Sequence, residues 1–197
     1  MLNRYFEYKN FKLVAVVAIT CILVMLFDPQ STELLRYQHK EVIEGELWRI
    51  VSANFTHSNW NHLLLNLSGL VLIDYLFQPL INQKSRALLM AFCLCANVAI
   101  LHYLIQLHWY VGLSGALHGY ILGCAGLTWS KAKITNSLII VGVTVKLIAE
   151  LNWEVNSATA GLIGANVVEE SHLAGSIAAT IYIFGYYAYQ IIKKKER

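Results

Sequence analysis

Residues 112–119 read GLSGALHG and place a serine between glycines at the start of a long apolar run. Gly112 and Gly115, on either side of Ser114, permit a tight turn into a helix start, which leaves the serine hydroxyl open to a substrate backbone. A helix that begins at this serine also offers unpaired N–H groups and a partial positive charge beside any oxyanion that forms there. The stretch therefore predicts a nucleophilic serine at a helix N-terminus.

The sequence on both sides of this stretch is typical of a membrane protein. Among the 197 residues, 57% are hydrophobic and 14% are charged, and the mean hydropathy is +0.51. This composition is too apolar for a soluble domain, and apolar runs of roughly 17–22 residues are long enough to cross a hydrocarbon core of about 30 Å. The four cysteines lie inside apolar runs, so we expect them to be core residues rather than disulfides or zinc ligands.

We predict an all-α membrane protein with six transmembrane helices. Residues 1–197 form a single domain in this interpretation, with no room for a soluble domain. The predicted spans are about 11–27, 60–80, 86–107, 113–130, 134–151 and 171–192. An even number of spans places both termini on one side of the membrane.

The distribution of charged residues predicts which side that is. Cations cluster at the chain ends and in the connections after spans two and four: Arg4, Lys9, Lys12, Lys84, Arg86, Lys131, Lys133, Lys193, Lys194, Lys195 and Arg197. Acidic residues cluster in the long connections, about 28–59 and 152–170: Glu33, Glu41, Glu44, Glu46, Glu154, Glu169 and Glu170. The positive-inside rule therefore predicts cytoplasmic termini and outward-facing long connections. We expect Asp74, near the inner end of span two, to be hydrated or to cap its helix.

Polar residues of three spans are predicted to meet at one depth. Spans two, four and six all run from outside to inside, and His62 with Asn66, Ser114 and His172 lie near their respective starts. Polar groups inside a membrane are costly, so by default they indicate function. His62 and Asn66 are four residues apart and share a helix face, so both can point at one spot.

Small residues recur at four-residue spacing in spans four and six. They are Gly115, Gly119 and Gly123 in span four, and Gly175 and Ala179 in span six. Such stripes let two helix backbones approach closely. A serine and a histidine on different helices need this approach to reach hydrogen-bond distance.

The order of these residues resembles the motifs of the rhomboid family of intramembrane serine proteases. HSNWNHLLLN at 57–66 resembles the second-helix motif, GLSGALHG at 112–119 the nucleophile motif, and SHLAGSIAA at 171–179 the sixth-helix motif. Trp48 and Arg49 resemble a pair in the family's first outer loop. The resemblance implies a six-helix rhomboid fold and a peptide-bond hydrolase that cuts other membrane proteins near the outer face of the bilayer.

The resemblance also implies roles for the matching residues. Ser114 is implied as the nucleophile and His172 as its general base. His62 and Asn66 are implied as the oxyanion hole, together with the Ser114 N–H. Supporting positions are implied at Trp48, Arg49, His57, Gly112, Gly115, His118, Gly119 and Gly175. Trp48 and Arg49 are expected in a loop that packs at the membrane interface.

The sequence departs from the family pattern at a few positions. His118 stands where the family often has a tyrosine that stacks on the catalytic histidine. Ser171 replaces an alanine, and Ala179 replaces the last glycine of the sixth-helix motif. The first change alters the stacking partner, whereas the last only relaxes the closest helix approach.

Within the family, several features resemble the rhombosortases. They are the minimal six-helix length, the Leu117-His118-Gly119 ending of the nucleophile motif, and Lys146 with Glu150 on span five. This resemblance implies protein substrates with a C-terminal anchor, in which Gly-Gly precedes a hydrophobic helix and a basic tail. Lys146 and Glu150 are four residues apart, which favours an ion pair, and recognition of a substrate terminus is the sharper hypothesis.

The expected mechanism uses a serine–histidine dyad. A neutral imidazole can deprotonate a serine near pH 7 without further help. Asp74 lies too deep in span two to orient His172, and Glu169 and Glu170 are expected in solvent, so we predict no acidic third member. We also expect no cofactor and no metal.

Three other interpretations fit parts of the pattern. A zinc site could use His57, His62, His118 and His172, although Asn66 and Ser114 would then have no role. A catalytically inactive rhomboid-like scaffold would bind transmembrane helices without cutting them, and a six-span transporter is the third alternative. The expected partners are transmembrane substrates and the lipid bilayer, not nucleic acid. The expected location is a bacterial inner membrane, with the site open to the periplasm.

Overall fold

The computed structural model of the protein describes residues 11–105, 107–152, 158–164 and 167–196, most of which are helical. The α-helices are α1 (Lys12–Leu26), α2 (Gln30–Leu35), α3 (His39–Ile43), α4 (Arg49–Ser52), α5 (Trp60–Phe77), α6 (Gln83–Ile100), α7 (Ser114–Leu127), α8 (Lys133–Asn152), α9 (Ala158–Ile163) and α10 (Glu169–Lys195). A π-helical turn (Leu101–Ile105) continues α6, and the two-residue strands β1 (Tyr37–Gln38) and β2 (Trp109–Tyr110) pair antiparallel. Arg4, Lys9, Glu154 and Arg197, used above to predict the orientation, lie outside the described residues.

Each of the six predicted spans overlaps one helix of 14 residues or more: α1, α5, α6, α7, α8 and α10. Within the described residues, Gln83–Leu104 and Lys133–Asn152 are long and apolar enough to cross a membrane by themselves, and α1 is a shorter apolar helix. Apolar side chains that are 50–80% exposed follow one face of α8: Ile134, Leu138, Val141, Val145 and Ile148. Such a stripe is stable against hydrocarbon rather than against water.

α7 lies among the other long helices and contacts α5, α6, α8 and α10. Cys21, Cys93 and Cys124 are buried in the core, as predicted, and all four cysteines are free thiols. Cys95 is exposed, contrary to the prediction. The reason is helical geometry: Cys93 faces α7, and a residue two positions further along α6 points to nearly the opposite side.

The connection between α1 and α5 is folded, and Arg49 holds it together. This side chain is buried, and its guanidinium donates to the backbone carbonyls of Glu33 at 3.0 Å and Arg36 at 2.8 Å. Trp48 is half exposed, and its indole N–H points to a carbonyl of α2 at 3.4 Å. These contacts support the expectation that Trp48 and Arg49 position a loop.

Asp74 and Arg86 form a buried ion pair, which corrects the expectation for Asp74. Asp74 is not hydrated, and Arg86 is not a surface charge, because both side chains are 0% exposed. Asp74 Oδ1 lies 2.9 Å from Arg86 Nε, and the Tyr120 hydroxyl donates to the same oxygen at 2.8 Å. We call these three residues the basal cluster. It joins α5, α6 and α7 near the C-terminal end of α5.

Candidate active site

The turn before α7 is built around Gly112. Its φ of +120° lies in the region that favours glycine. The Gly112 N–H donates to the Ala53 carbonyl at 3.1 Å, and its own carbonyl accepts from the Tyr110 hydroxyl at 2.6 Å. These two bonds fix the direction in which the chain enters α7. The helix begins at Ser114, as the sequence predicts.

The Ser114 hydroxyl and the His172 imidazole are within hydrogen-bond distance, with Oγ 3.1 Å from Nε2. They approach because α7 and α10 touch through their glycines. A Cβ added at Gly119 would lie 2.5 Å from the Gly175 carbonyl oxygen, and one added at Gly175 would overlap the Gly115 carbonyl. The small-residue stripes therefore bring the two side chains together, and any larger residue there would push the helices apart.

Glu150 contacts the His172 imidazole on the side that faces away from Ser114, and the sequence pattern does not predict this contact. Its Oε2 lies 2.9 Å from His172 Nδ1, and its Oε1 forms an ion pair with Lys146. The expectation that no acidic group reaches His172 is therefore wrong. The predicted ion pair between Lys146 and Glu150 is present, but it lies against the histidine. α8 runs toward the end of the fold where α10 begins, so the last turns of α8 reach the first turn of α10.

His118 occupies the place next to His172 that the stacking tyrosine often has in the family. The two imidazole rings are stacked, with centroids 4.0 Å apart and planes at 21°. His118 Nδ1 lies 2.8 Å from the Ser114 carbonyl oxygen. A carbonyl can only accept, so Nδ1 must carry the proton and donate it. His118 therefore holds both the His172 ring and the backbone of Ser114.

Asn66 and His62 face one point beside Ser114. The Asn66 amide is buried, and its Nδ2 has no hydrogen-bond partner within the described part of the chain. His62 Nδ1 lies 3.1 Å from the Ser58 hydroxyl, and the other ring nitrogen, Nε2, lies beside Gly112. A Cβ added at Gly112 would be 3.0 Å from His62 Nε2 and 3.9 Å from Asn66 Nδ2. The two side chains thus converge over Gly112, and a side chain there would fill the space.

These groups open on a cavity of about 500 Å³. Ser114, His118, His172, His62 and Asn66 all line it. The rest of its wall is largely apolar, and α5, α7 and α8 contribute Leu65, Leu72, Ile73, Ile121 and Val143 to it. A buried polar cluster at one end of an apolar cleft is the usual form of a site for an apolar substrate.

His57, Trp48 and Arg49 do not line this cavity. His57 is buried behind His62, and their rings meet edge to face with centroids 5.0 Å apart. His57 therefore packs against the His62 ring and supports it. Trp48 and Arg49 belong to the folded connection between α1 and α5 described above.

The four histidines considered as zinc ligands fall into two pairs, His57 with His62 and His118 with His172. A different set, His118, Glu150 and His172, brings its ligand atoms within 4.8 Å of one another. The lone pairs of the stacked rings lie in nearly parallel planes, with the ring centroids 4.0 Å apart, and this does not suit convergence on one ion. The ligand atoms of His172 and Glu150 are also engaged with Ser114 and Lys146. The residues present therefore do not fit a metal centre.

Comparison with known proteins agrees with the motifs. A search of curated proteins found no match. The family model described as Rhomboid domain matches residues 44–189, which is most of the chain and includes every residue of the cavity named above. The chain is therefore an integral membrane protein that belongs to the rhomboid family.

Proposed function

We propose that this protein is an intramembrane serine endopeptidase that cuts transmembrane-anchored proteins near the outer face of the bilayer. Rhomboid family membership makes intramembrane proteolysis the expected activity. One observation carries the assignment of the residues: the contact of Ser114 Oγ with His172 Nε2 at 3.1 Å, on the wall of the cavity. Nucleophile and base within this reach are the geometric signature of covalent catalysis by serine.

The chemistry proceeds through an acyl-enzyme. Ser114 Oγ attacks the scissile carbonyl carbon as His172 Nε2 takes the hydroxyl proton. The carbonyl oxygen becomes an oxyanion, and His172 then gives its proton to the leaving amine as the C–N bond breaks. Water attacks the Ser114 ester with His172 again as base, which releases the acid product and restores the hydroxyl.

Three N–H groups are available for the oxyanion. Asn66 Nδ2 has no partner among the described residues, and His62 Nε2 converges with it over Gly112. As the first residue of α7, Ser114 has no carbonyl one turn earlier in the helix to accept from its N–H. The positive end of the α7 dipole adds to the stabilisation of the developing charge.

The proposed membrane arrangement has six spans, cytoplasmic termini and a cavity open to the outside. Its support is that α5, α7 and α10 carry the cavity residues near their N-terminal ends, and that Lys193, Lys194 and Lys195 lie at the opposite end of α10. Water can then reach the acyl-enzyme from the periplasm of a bacterial inner membrane, while the apolar wall of the cavity receives the substrate from the lipid.

The proposed substrates carry Gly-Gly near a C-terminal membrane anchor, as the rhombosortase-like features imply. A helical segment shields its peptide bonds, so cleavage needs residues that unwind easily, and glycine costs about 1 kcal/mol relative to alanine in a helix. The cavity wall is apolar except for the catalytic end and Lys146. An apolar helix that unwinds at two glycines matches this distribution.

An inactive scaffold is the competing function, because an apolar cavity could hold a transmembrane helix without cutting it. The separating experiment uses the full chain in liposomes with a model substrate carrying a Gly-Gly anchor. We expect cleavage at the glycines, and a loss of about 10⁴-fold or more in Ser114→Ala and His172→Ala with binding retained. Ser137→Ala, at the other end of the fold, is the control.

Product mass spectrometry decides between the outcomes. Cleavage of a Gly-Gly substrate but not of a Leu-Leu version supports both the protease and its specificity. Equal cleavage of the two keeps the protease and rejects the Gly-Gly preference. Binding without cleavage by the wild type establishes the scaffold, and cleavage by Ser114→Ala rejects the assigned nucleophile.

A further inference from the structure

Glu150 has both carboxylate oxygens engaged on the side of His172 that faces away from Ser114. Oε2 lies 2.9 Å from His172 Nδ1, and Oε1 is paired with Lys146. The Glu150 side chain is 9% exposed, so water competes little for either contact. A carboxylate held at both oxygens has a fixed orientation, in contrast to a solvated acid near a histidine.

The protonation pattern around the ring follows from these contacts. An ionised carboxylate only accepts, so the bond to Glu150 requires the proton of His172 on Nδ1. The lone pair is then on Nε2, which faces the Ser114 hydroxyl at 3.1 Å. Lys146 Nζ lies 3.5 Å from Nδ1, but an ammonium cannot donate to a nitrogen that already carries a proton. Glu150 therefore selects the tautomer that can accept the serine proton.

Lys146 completes this arrangement from the same helix face. It lies four residues before Glu150 on α8, and its side chain is 44% exposed and reaches the cavity wall. Its charge compensates the carboxylate at Oε1 and leaves Oε2 for the histidine. A low-dielectric site makes such a charge pair stronger than it would be in water.

Neither Asp74, at the other end of α5, nor Glu170 makes this contact. Asp74 is committed to the basal cluster, and Glu170 is exposed on the first turn of α10. Among the acidic residues that the structure describes, Glu150 is the one within hydrogen-bond distance of the His172 ring. The contact is thus a particular one, not a general acidic surrounding.

We propose that Glu150 is a positioning residue that completes a Ser114–His172–Glu150 triad, with Lys146 as the group that holds the carboxylate in place. This inference rests on the proposed serine protease function and changes its mechanism from two residues to three. Glu150 touches neither substrate nor the reacting atoms. It holds the Nδ1–H tautomer in the ground state and stabilises the imidazolium that forms when His172 accepts the serine proton.

The test is Glu150→Gln in the full chain in liposomes, compared with Glu170→Gln as a matched loss of one carboxylate. Glutamine keeps the shape but not the charge, and its amide can donate to Nδ1 and favour the wrong tautomer. We expect kcat to fall about 10²–10⁴-fold with KM nearly unchanged, because the analogous change in a serine protease triad acts on chemistry rather than on binding. The rate of Ser114 labelling by a fluorophosphonate should fall in parallel, and Glu170→Gln should behave as wild type.

A double variant separates positioning from a merely structural ion pair. If Glu150 only neutralises Lys146, then Lys146→Met with Glu150→Gln removes both charges and should restore labelling and kcat. The triad requires the double variant to stay as slow as Glu150→Gln. A wild-type kcat in Glu150→Gln would overturn the triad, and so would a restored kcat in the double variant. Neither result would affect the assignment of Ser114 as the nucleophile. Cleavage by Ser114→Ala at the wild-type rate would instead overturn the proposed serine protease function itself.

Discussion

The two ends of α5 differ in what surrounds their buried polar groups. At its C-terminal end, the basal cluster is sealed, with Asp74 and Arg86 both 0% exposed and bonded to each other. At its N-terminal end, Asn66 is also buried but lines the cavity, and its Nδ2 has no partner within the described residues. Buried polar groups are normally paired, so an unpaired donor on a cavity wall is available to donate to a bound ligand. The first end joins three helices, and the second lies in the proposed active site.

The basal cluster should dominate stability when one partner is removed. Arg86→Met leaves the Asp74 carboxylate uncompensated between α5, α6 and α7, and breaking a buried ion pair costs about 3–5 kcal/mol. We expect a loss of this size in the free energy of unfolding in mixed micelles. The remaining folded protein should keep a kcat near that of the wild type.

A charge-free version of the cluster sharpens this prediction. In Asp74→Asn with Arg86→Met, the asparagine Oδ1 can still accept from the Tyr120 hydroxyl, and no charge is buried. Stability should therefore return to within about 1–2 kcal/mol of the wild type. A double variant as unstable as Arg86→Met would show that the ion pair itself, rather than its compensation, holds the helices.

The cavity end should show the reverse pattern. Asn66→Ala removes a proposed oxyanion donor, and loss of one such donor costs about 10²–10³-fold in kcat. Because Nδ2 has no partner in the described part of the free protein, the free energy of unfolding should change by less than about 1 kcal/mol. Cleavage kinetics in liposomes and unfolding in micelles measure the two effects on the same preparation.

Asn136→Ala is the matched control for this prediction. Asn136 is also a buried amide, but its Nδ2 donates to the Thr128 hydroxyl at 3.1 Å near the other end of α7. Its loss should cost about 1 kcal/mol of stability and leave kcat unchanged. If Asn66→Ala were as active as wild type, the contrast between the two ends would fail and the oxyanion assignment with it.

Much of this arrangement could be predicted from the sequence. The family match confirms the rhomboid family inferred from the motifs, whereas the rhombosortase subgroup stays a prediction. Hydropathy located the six long helices, because a run of apolar residues of span length has few other solutions. The glycine spacing indicated the close approach of α7 and α10, because helix backbones this close leave no space for a side chain at Gly119 or Gly175.

The missed features depend on how helices rotate and pack. Asp74 and Arg86 are charges at helix ends in the sequence, and only the packing of α5 against α6 and α7 shows that they are buried together. The spacing of Lys146 and Glu150 predicts only their ion pair, because the two share a helix face. A usable signal was present: consecutive spans alternate in direction, so the last turn of span five lies at the same end of the fold as His172 at the start of span six. The folded connection between α1 and α5 had no comparable signal, because its short helices have no apolar repeat.

The smallest predicted effect concerns the orientation of His62 at the cavity end. The Ser58 hydroxyl lies 3.1 Å from His62 Nδ1, and if it donates there, Nε2 carries the proton that the oxyanion needs. Ser58→Ala removes this preference but no donor, so the expected loss is about 1 kcal/mol, or roughly 5-fold in kcat. Ser68→Ala on α5 is the control, because that hydroxyl donates to the Leu64 carbonyl of its own helix. A loss in Ser58→Ala as large as that in Asn66→Ala would mean that Ser58 contacts the oxyanion directly, and no loss would mean that His62 keeps its tautomer without help. An intermediate loss that vanishes in a His62→Ala background would show that Ser58 acts through His62.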